Sequence, residues 1–120
     1  MDLTQAISEL KQTPGFAENV GMILIHNGVI RGWSRQNRAT VTGVEITPDH
    51  AKIQAICQEI QQRPGIFRAI AHAEGGFKQP GDDVLFLIVA GDIRENVKAA
   101  LSDLLDRVKA EAVTKREVFA

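Results

Sequence analysis

The chain has 120 residues, 44% hydrophobic and 24% charged, with a formal net charge of −1. That is the size of one compact domain, residues 1–120, which buries roughly 65% of its unfolded surface and needs no disulfide or metal staple. The near-zero charge excludes a bulk field that would attract nucleic acid or a membrane. The single cysteine, Cys57, excludes an internal disulfide framework and a multi-thiolate zinc site.

Met1-Asp2-Leu3-Thr4 carries neither the basic nor the apolar stretch of a signal peptide, and no apolar run approaches the roughly 18 residues of a membrane span. A cytoplasmic address is therefore expected. Residues 2–10 read as a short amphipathic helix that stops before Pro14-Gly15. Val20 to Arg31 is an apolar, β-branched run, long enough for a mostly buried strand. The next stretch, Arg31 to Arg38, is polar and loop-like. Thr40 to Thr47 alternates Val41, Gly43 and Glu45 against Thr42, Val44 and Ile46, which predicts a second strand.

Thr47-Pro48-Asp49 has the form of a helix start, with Thr47 as cap and proline at the first helical position. Ile53, Ile56, Cys57 and Ile60 follow at helical spacing and form one buried face, ended by Arg63-Pro64-Gly65. Ile66 to His72 is the third predicted strand, and Gly75 to Asp83 is a turn region. Within it Pro80-Gly81 suits the central positions of a type II turn. Val84 to Ala90 is a central strand. Asp92 is the expected cap of the last and longest helix, which runs to about Ala112. Its buried stripe is Val97, Leu101, Leu104, Leu105 and Val108, with Asp103 and Arg107 paired at i, i+4 on the solvent side. Lys115 to Phe119 closes the chain as a short strand. The order α-β-β-α-β-β-α-β predicts a single α+β domain, with two main helices packed on a mixed or largely antiparallel sheet.

Three places concentrate cations. Arg31, Arg35 and Arg38 lie around Trp33 with no acid among them. Arg94 falls in the first turn of the last helix, where a cation opposes the dipole but a bound anion would be welcome. Lys109, Lys115 and Arg116 gather at that helix's end and just beyond. Each has a plainer reading: a flexible polar connection, a solvated surface arginine, a lysine complementing the helix dipole. Lys109 flanks the apolar stripe, so its stem can lie along apolar surface with the ammonium at the domain edge. Lys115 and Arg116 alternate faces in a strand, so only one of them can join it. The histidines, His26, His50 and His72, match no metal signature. Cys57, on an apolar helix face, reads as an inert thiol. The residues thus imply an anion pocket with lysines available for proton transfer or nucleophilic work, and they do not name a substrate.

The ordered motifs GVIRG after an apolar strand, PGI after a helix, PGDD before an apolar strand, and AGDIRENVKAALSDLLDRVKAEAVTKREVF carry a resemblance. Together they resemble the molybdopterin synthase catalytic (large) subunit family over about Val20 to Phe119. The resemblance implies the α/β hammerhead fold and a sulfurtransferase that converts cyclic pyranopterin monophosphate into the dithiolene of molybdopterin. Sulfur would arrive as a thiocarboxylate on the C-terminal Gly-Gly of a small ubiquitin-like subunit, so neither a reactive cysteine nor a cofactor or metal is expected. By position, Lys109 and Lys115 correspond to the catalytic lysines. Arg31 and Arg94 correspond to family arginines that hold the substrate, and Arg35, Arg38 and Arg116 join them as candidate binding residues. Arg94 and Lys109 are separated by roughly 22 Å of helix axis, so a shared site would be completed across a homodimer within a heterotetramer. The sequence departs from the family pattern at Ile93, where a histidine is usual, at His26, where an aromatic is usual, at Ala73-Glu74, and at Ala112-Val113-Thr114. It also ends at Ala120 without the usual basic tail. A non-catalytic pterin- or partner-binding paralogue is the alternative on the same fold, and an unrelated phosphate-ligand domain is a third.

Overall fold

The computed structural model describes all 120 residues. Helix α1 (Leu3–Lys11) starts at Asp2, whose carboxylate accepts a hydrogen bond from the Gln5 amide at 3.1 Å. A one-turn helix α2 (Phe16–Asn19), not expected from the pattern, follows. Strand β1 (Met22–Val29) is shorter at both ends than the apolar run suggested. Strand β2 (Val41–Pro48) leads into α3 (His50–Gln61), then β3 (Ile66–Ala73), β4 (Gly76–Lys78) and β5 (Asp83–Gly91). Helix α4 (Arg94–Arg107) continues as a π-helical turn, Val108–Ala112, into β6 (Val113–Phe119).

All strand pairs are antiparallel, and they form two three-stranded sheets rather than one, ordered β1-β5-β3 and β4-β2-β6. The main core lies between the first sheet and the two long helices. It includes Ile53, Ile56, Cys57 and Ile60 of α3, Leu85, Leu87 and Val89 of β5, and Val97, Ala100 and Leu104 of α4. A smaller cluster of Ile30, Val41, Val44 and Ile46 lies under the second sheet. On the far side of the first sheet, Leu10 of α1 packs with Ile88 and Ala90. The molecule is elongated, 51 × 25 × 25 Å, and no helix is long and apolar enough to cross a membrane.

Several local expectations are corrected. Asp49, not Thr47, caps α3, its carboxylate accepting from the Lys52 amide at 3.0 Å, because Pro48 is held in β2 opposite Val113. Ile93, not Asp92, is the N-cap residue of α4. The Asp92 carboxylate instead accepts from the Ile93 amide at 2.6 Å and the Asn96 side chain at 2.9 Å. Those hydrogen bonds, Asn96 first, hold the Asp92 carboxyl below its ordinary range. Asp103 and Arg107 do not pair. Asp103 meets Arg63 at 2.6 Å, and Arg107 joins Glu59 of α3 and Glu111, the latter at 2.9 Å, so both charges tie helices and turns together. A register shift between Val41 and Gly43 breaks the simple alternation of β2 and puts Val41, Val44 and Ile46 in one cluster. Within the expected turn region, Gly76–Lys78 adds an edge strand to β2.

Two glycines matter for the frame. Gly81 has φ +94° at the third position of the turn Gln79–Asp82, closed by Asp82 N–H to the Gln79 carbonyl at 3.0 Å, as a type II turn requires. Gly91 ends β5 where a Cβ would fall 2.5 Å from the Gly65 carbonyl oxygen and 2.7 Å from Val97, so only glycine lets α4 pack this closely.

Candidate functional site

The two sheets diverge around an open cavity of about 430 Å³. One wall comes from the first sheet, through His26 and Gly28 of β1, Leu85 of β5 and Ala73 of β3. The facing wall comes from the second sheet, through Val44 and Ile46 of β2 and Lys115 and Glu117 of β6. Arg31, Trp33 and Arg35 of the loop after β1 form part of the rim, and Lys109 of the π-helical turn completes it.

Strand pairing and the turn after α4 bring the charged groups there. β6 pairs with β2 so that Lys115 lies opposite Ile46 and Glu117 opposite Val44. Residues two apart in a strand share a face, so both side chains follow the apolar wall into the cavity while Arg116 points away. The π-helical turn ends α4 with Val108 fully buried and Lys109 beside it at the cavity edge. Such turns insert an extra residue and re-aim the side chains that follow. The Ala112 carbonyl is tied to the Asp49 amide at 2.7 Å, which fixes the turn against the start of α3.

The loop from Gly32 to Thr40 is ordered by its own hydrogen bonds. Val41 N–H donates to the Gly32 carbonyl at 3.0 Å, Ser34 N–H to Ala39 at 2.9 Å, and Arg38 N–H to Ser34 at 2.9 Å. Ser34 is 2% exposed, and its hydroxyl donates to the Glu117 carboxylate at 3.2 Å, pinning the loop to β6. Arg38 adopts φ +62°, and its guanidinium lies 4.1 Å from the Trp33 ring centroid, with that of Arg31 at 4.7 Å. These hydrogen bonds give the polar stretch a defined backbone path.

The electrostatics follow from crowding like charges beside apolar walls. Burial first, then the positive charges of Lys115, Arg31 and Arg35, push the Lys109 ammonium below the ordinary lysine range, against a smaller opposite pull from Asp106. As a residue Lys109 is exposed, so this dehydration is partial. Burial and then Lys109 likewise push His26 down, favouring its neutral form. Its Nε2 is buried without a hydrogen-bond partner. A site of this kind attracts a dianion or carboxylate-like group and makes Lys109 easier to deprotonate than an ordinary lysine.

Of the seven residues singled out in the sequence, Arg31, Arg35, Lys109 and Lys115 meet in this cavity. Arg38 stands behind Trp33, outside the lining. Arg116 is exposed on the opposite face of β6. Arg94 lies at the other end of α4, with 78% of its side chain exposed and a single 3.4 Å contact to Glu95. Sequence reasoning missed Glu117, Ser34 and His26 as parts of the site. Strand alternation, once Lys115 is placed on the cavity face, puts Glu117, two residues on, on the same face. Ser34 and His26 had no local signal.

A family model described as "MoaE protein" matches residues 1–111. A curated relative, "Probable molybdopterin synthase" of Haloferax volcanii, is 31% identical over 68 residues, 56% of this chain and 26% of that protein. The chain thus spans about a quarter of that relative's length. Among solved structures, molybdopterin synthase from Staphylococcus aureus superposes with a TM-score of 0.80 at 17% identity, covering 100% of this chain and 86% of that one. A complex of subunits 1 and 2 of molybdopterin-converting factor from Helicobacter pylori gives 0.69 at 15% identity, covering 98% and 80%. At such identities the structural likeness is one of fold, and that fold is the single α+β domain read from the element order.

Proposed function

The chain belongs to the MoaE protein family, and from that premise we propose that it is a molybdopterin synthase large subunit, a sulfurtransferase. Its substrate would be cyclic pyranopterin monophosphate, and its sulfur donor the thiocarboxylated C-terminus of a small ubiquitin-like subunit. The observation that carries the reading is the meeting of Lys109 and Lys115 with Arg31 and Arg35 in one cavity between the two sheets. The names of the Haloferax and Staphylococcus proteins support it, and the two-subunit Helicobacter complex supports a small partner.

In this reading Arg31 and Arg35 hold the phosphate, whose planar pairing with guanidinium is bidentate. The open rim admits an extended tail, and the same cations draw in its thiocarboxylate anion. Lys109, held below the ordinary lysine range, takes and returns protons as sulfur replaces oxygen on the pterin side chain, with Lys115 lining the cavity beside it. Burial keeps Cys57 in the core and pushes its thiol up, so sulfur is brought by the partner rather than carried on this chain. Arg94, about one helix length away from Lys109, serves a neighbouring copy's cavity in a homodimer. A cytoplasmic address completes the reading.

A second reading has one observation behind it. Ile93 stands 54% exposed beside Arg94, where the family usually carries histidine, as a chain that binds pterin or partner without turnover would allow. An in vitro conversion assay separates the two. Purified protein, cyclic pyranopterin monophosphate and thiocarboxylated small subunit should yield dithiolene product that Lys109→Ala abolishes. Small-subunit binding without product would make the chain a non-catalytic paralogue.

A further inference from the structure

Trp33 is the one tryptophan of the chain, and it sits on a polar loop at the cavity rim. It belongs to none of the three apolar clusters and leaves 38% of its surface exposed. Core packing therefore does not account for it. The loop nevertheless holds it firmly, through a bridge to Thr40, the Val41–Gly32 hydrogen bond and the buried Ser34 beside it. Two guanidiniums rest on its ring, and they differ in kind: Arg31 lines the cavity, whereas Arg38 does not. Arg38 is held there by a left-handed backbone, a conformation uncommon for a residue with a side chain.

An indole presented in this way is a stacking surface, already occupied by planar cations that any flat ring could replace. We propose that Trp33 is the residue that recognises the ring of the ligand, as a platform on which a planar heterobicycle stacks. This rests on the pterin reading above and assigns its ring and its phosphate to different residues. The entering ring takes the place of the Arg31 guanidinium on the indole. Arg31, released from the ring but still at the rim, turns to the phosphate beside Arg35. Arg38 stays against Trp33 from outside the cavity and keeps the platform upright. Selectivity for a flat ring then comes from Trp33, and affinity for any phosphate ester from the arginines.

The test compares wild-type protein with Trp33→Phe and Trp33→Leu by calorimetric titration of two probes, 6-hydroxymethylpterin, which lacks phosphate, and inorganic phosphate. Base-on-aromatic stacking is worth about 1–3 kcal/mol, so Trp33→Leu should weaken the pterin probe roughly 5- to 150-fold. Trp33→Phe, which keeps an aromatic face, should restore most of that, and the phosphate affinity should fall in neither variant, because Arg31 and Arg35 stay at the rim. Equal pterin affinity in Trp33→Leu overturns the proposal. So does a parallel loss of phosphate binding, which would make Trp33 a support for the loop. Wild-type protein that binds phosphate but no pterin overturns both this assignment and the pterin reading on which it rests.

Discussion

Leu104 and Leu105 are neighbours in the same apolar stripe of α4, and their truncation should have different consequences. Leu104 is fully buried in the main core, against α3 and the first sheet, whereas Leu105 packs at the margin and is only partly buried. Leu104→Ala removes three carbons and leaves a closed cavity, at a cost of about 3–5 kcal/mol. Leu105→Ala removes the same atoms where solvent and neighbours can refill the space. Without the cavity contribution, about 1.5 kcal/mol remains from the lost burial. A domain of this size unfolds with an entropy near 0.25 kcal/mol/K, so each kcal/mol is worth about 4 °C. The expected falls in Tm are therefore about 12–20 °C for Leu104→Ala and about 6 °C for Leu105→Ala. Calorimetry on the two variants, with circular dichroism to confirm retained helix, gives the comparison. Because Val108, one turn after Leu104, packs in the same core and precedes Lys109, the first variant should also lose cavity ligand affinity at temperatures where it remains folded. Equal falls in Tm would refute the placement of α4 and, with it, the direction in which Lys109 is presented.

Lys109→Gln should lower product formation about 10²- to 10⁴-fold, the range for a positioned proton-transfer group, while small-subunit binding measured by gel filtration persists. Lys109 should titrate below the other lysines in NMR of the ¹³C-methylated protein, and Arg35→Gln should move it upward, because one of the charges pressing it down is gone. The linkage has a matching sign: a lysine depressed on folding disfavours the native state below its folded pKa, and this penalty is released as pH rises from there towards 10.5. A Lys109 resonance titrating with the bulk lysines would contradict the crowded cavity. Ser34→Ala should release the loop from Glu117 at a cost of about 1 kcal/mol, so the Ser34 and Arg38 amides should exchange roughly 5-fold faster; unchanged exchange would mean that the Glu117 contact does not hold the loop. If Arg94 serves a neighbouring copy, Arg94→Ala and Lys109→Ala proteins should each be inactive alone and regain roughly a quarter of wild-type activity when re-associated together. No recovery would place Arg94 outside the site.

Much of the fold was legible in the residues. Helix α3 follows from Ile53, Ile56, Cys57 and Ile60 at helical spacing, and β5 from an unbroken apolar run, because each pattern is a property of a few consecutive residues. The turn at Pro80-Gly81 is equally local, since it needs only proline's fixed φ and glycine's positive one. Clustered cations, too, can be counted along the chain. Their chemistry as a site cannot. Whether Lys115 or Arg116 faces Lys109 depends on the pairing of β6 with β2, and the bulge in that pair makes counting along the strand unreliable. Ser34 reaches Glu117 across 83 residues, Arg107 finds Glu59 and Glu111 instead of Asp103, and the π-helical turn that aims Lys109 has no signature in its five residues. The sequence by itself determined the three longer helices, most strands and the stock of charges, because spacing and turn chemistry act within one or two turns of chain. Only the tertiary structure decided that Arg31, Arg35, Lys109 and Lys115 share a cavity while Arg94 and Arg116 do not, because that convergence is set by long-range strand pairing and by the apolar walls that leave like charges one space to occupy.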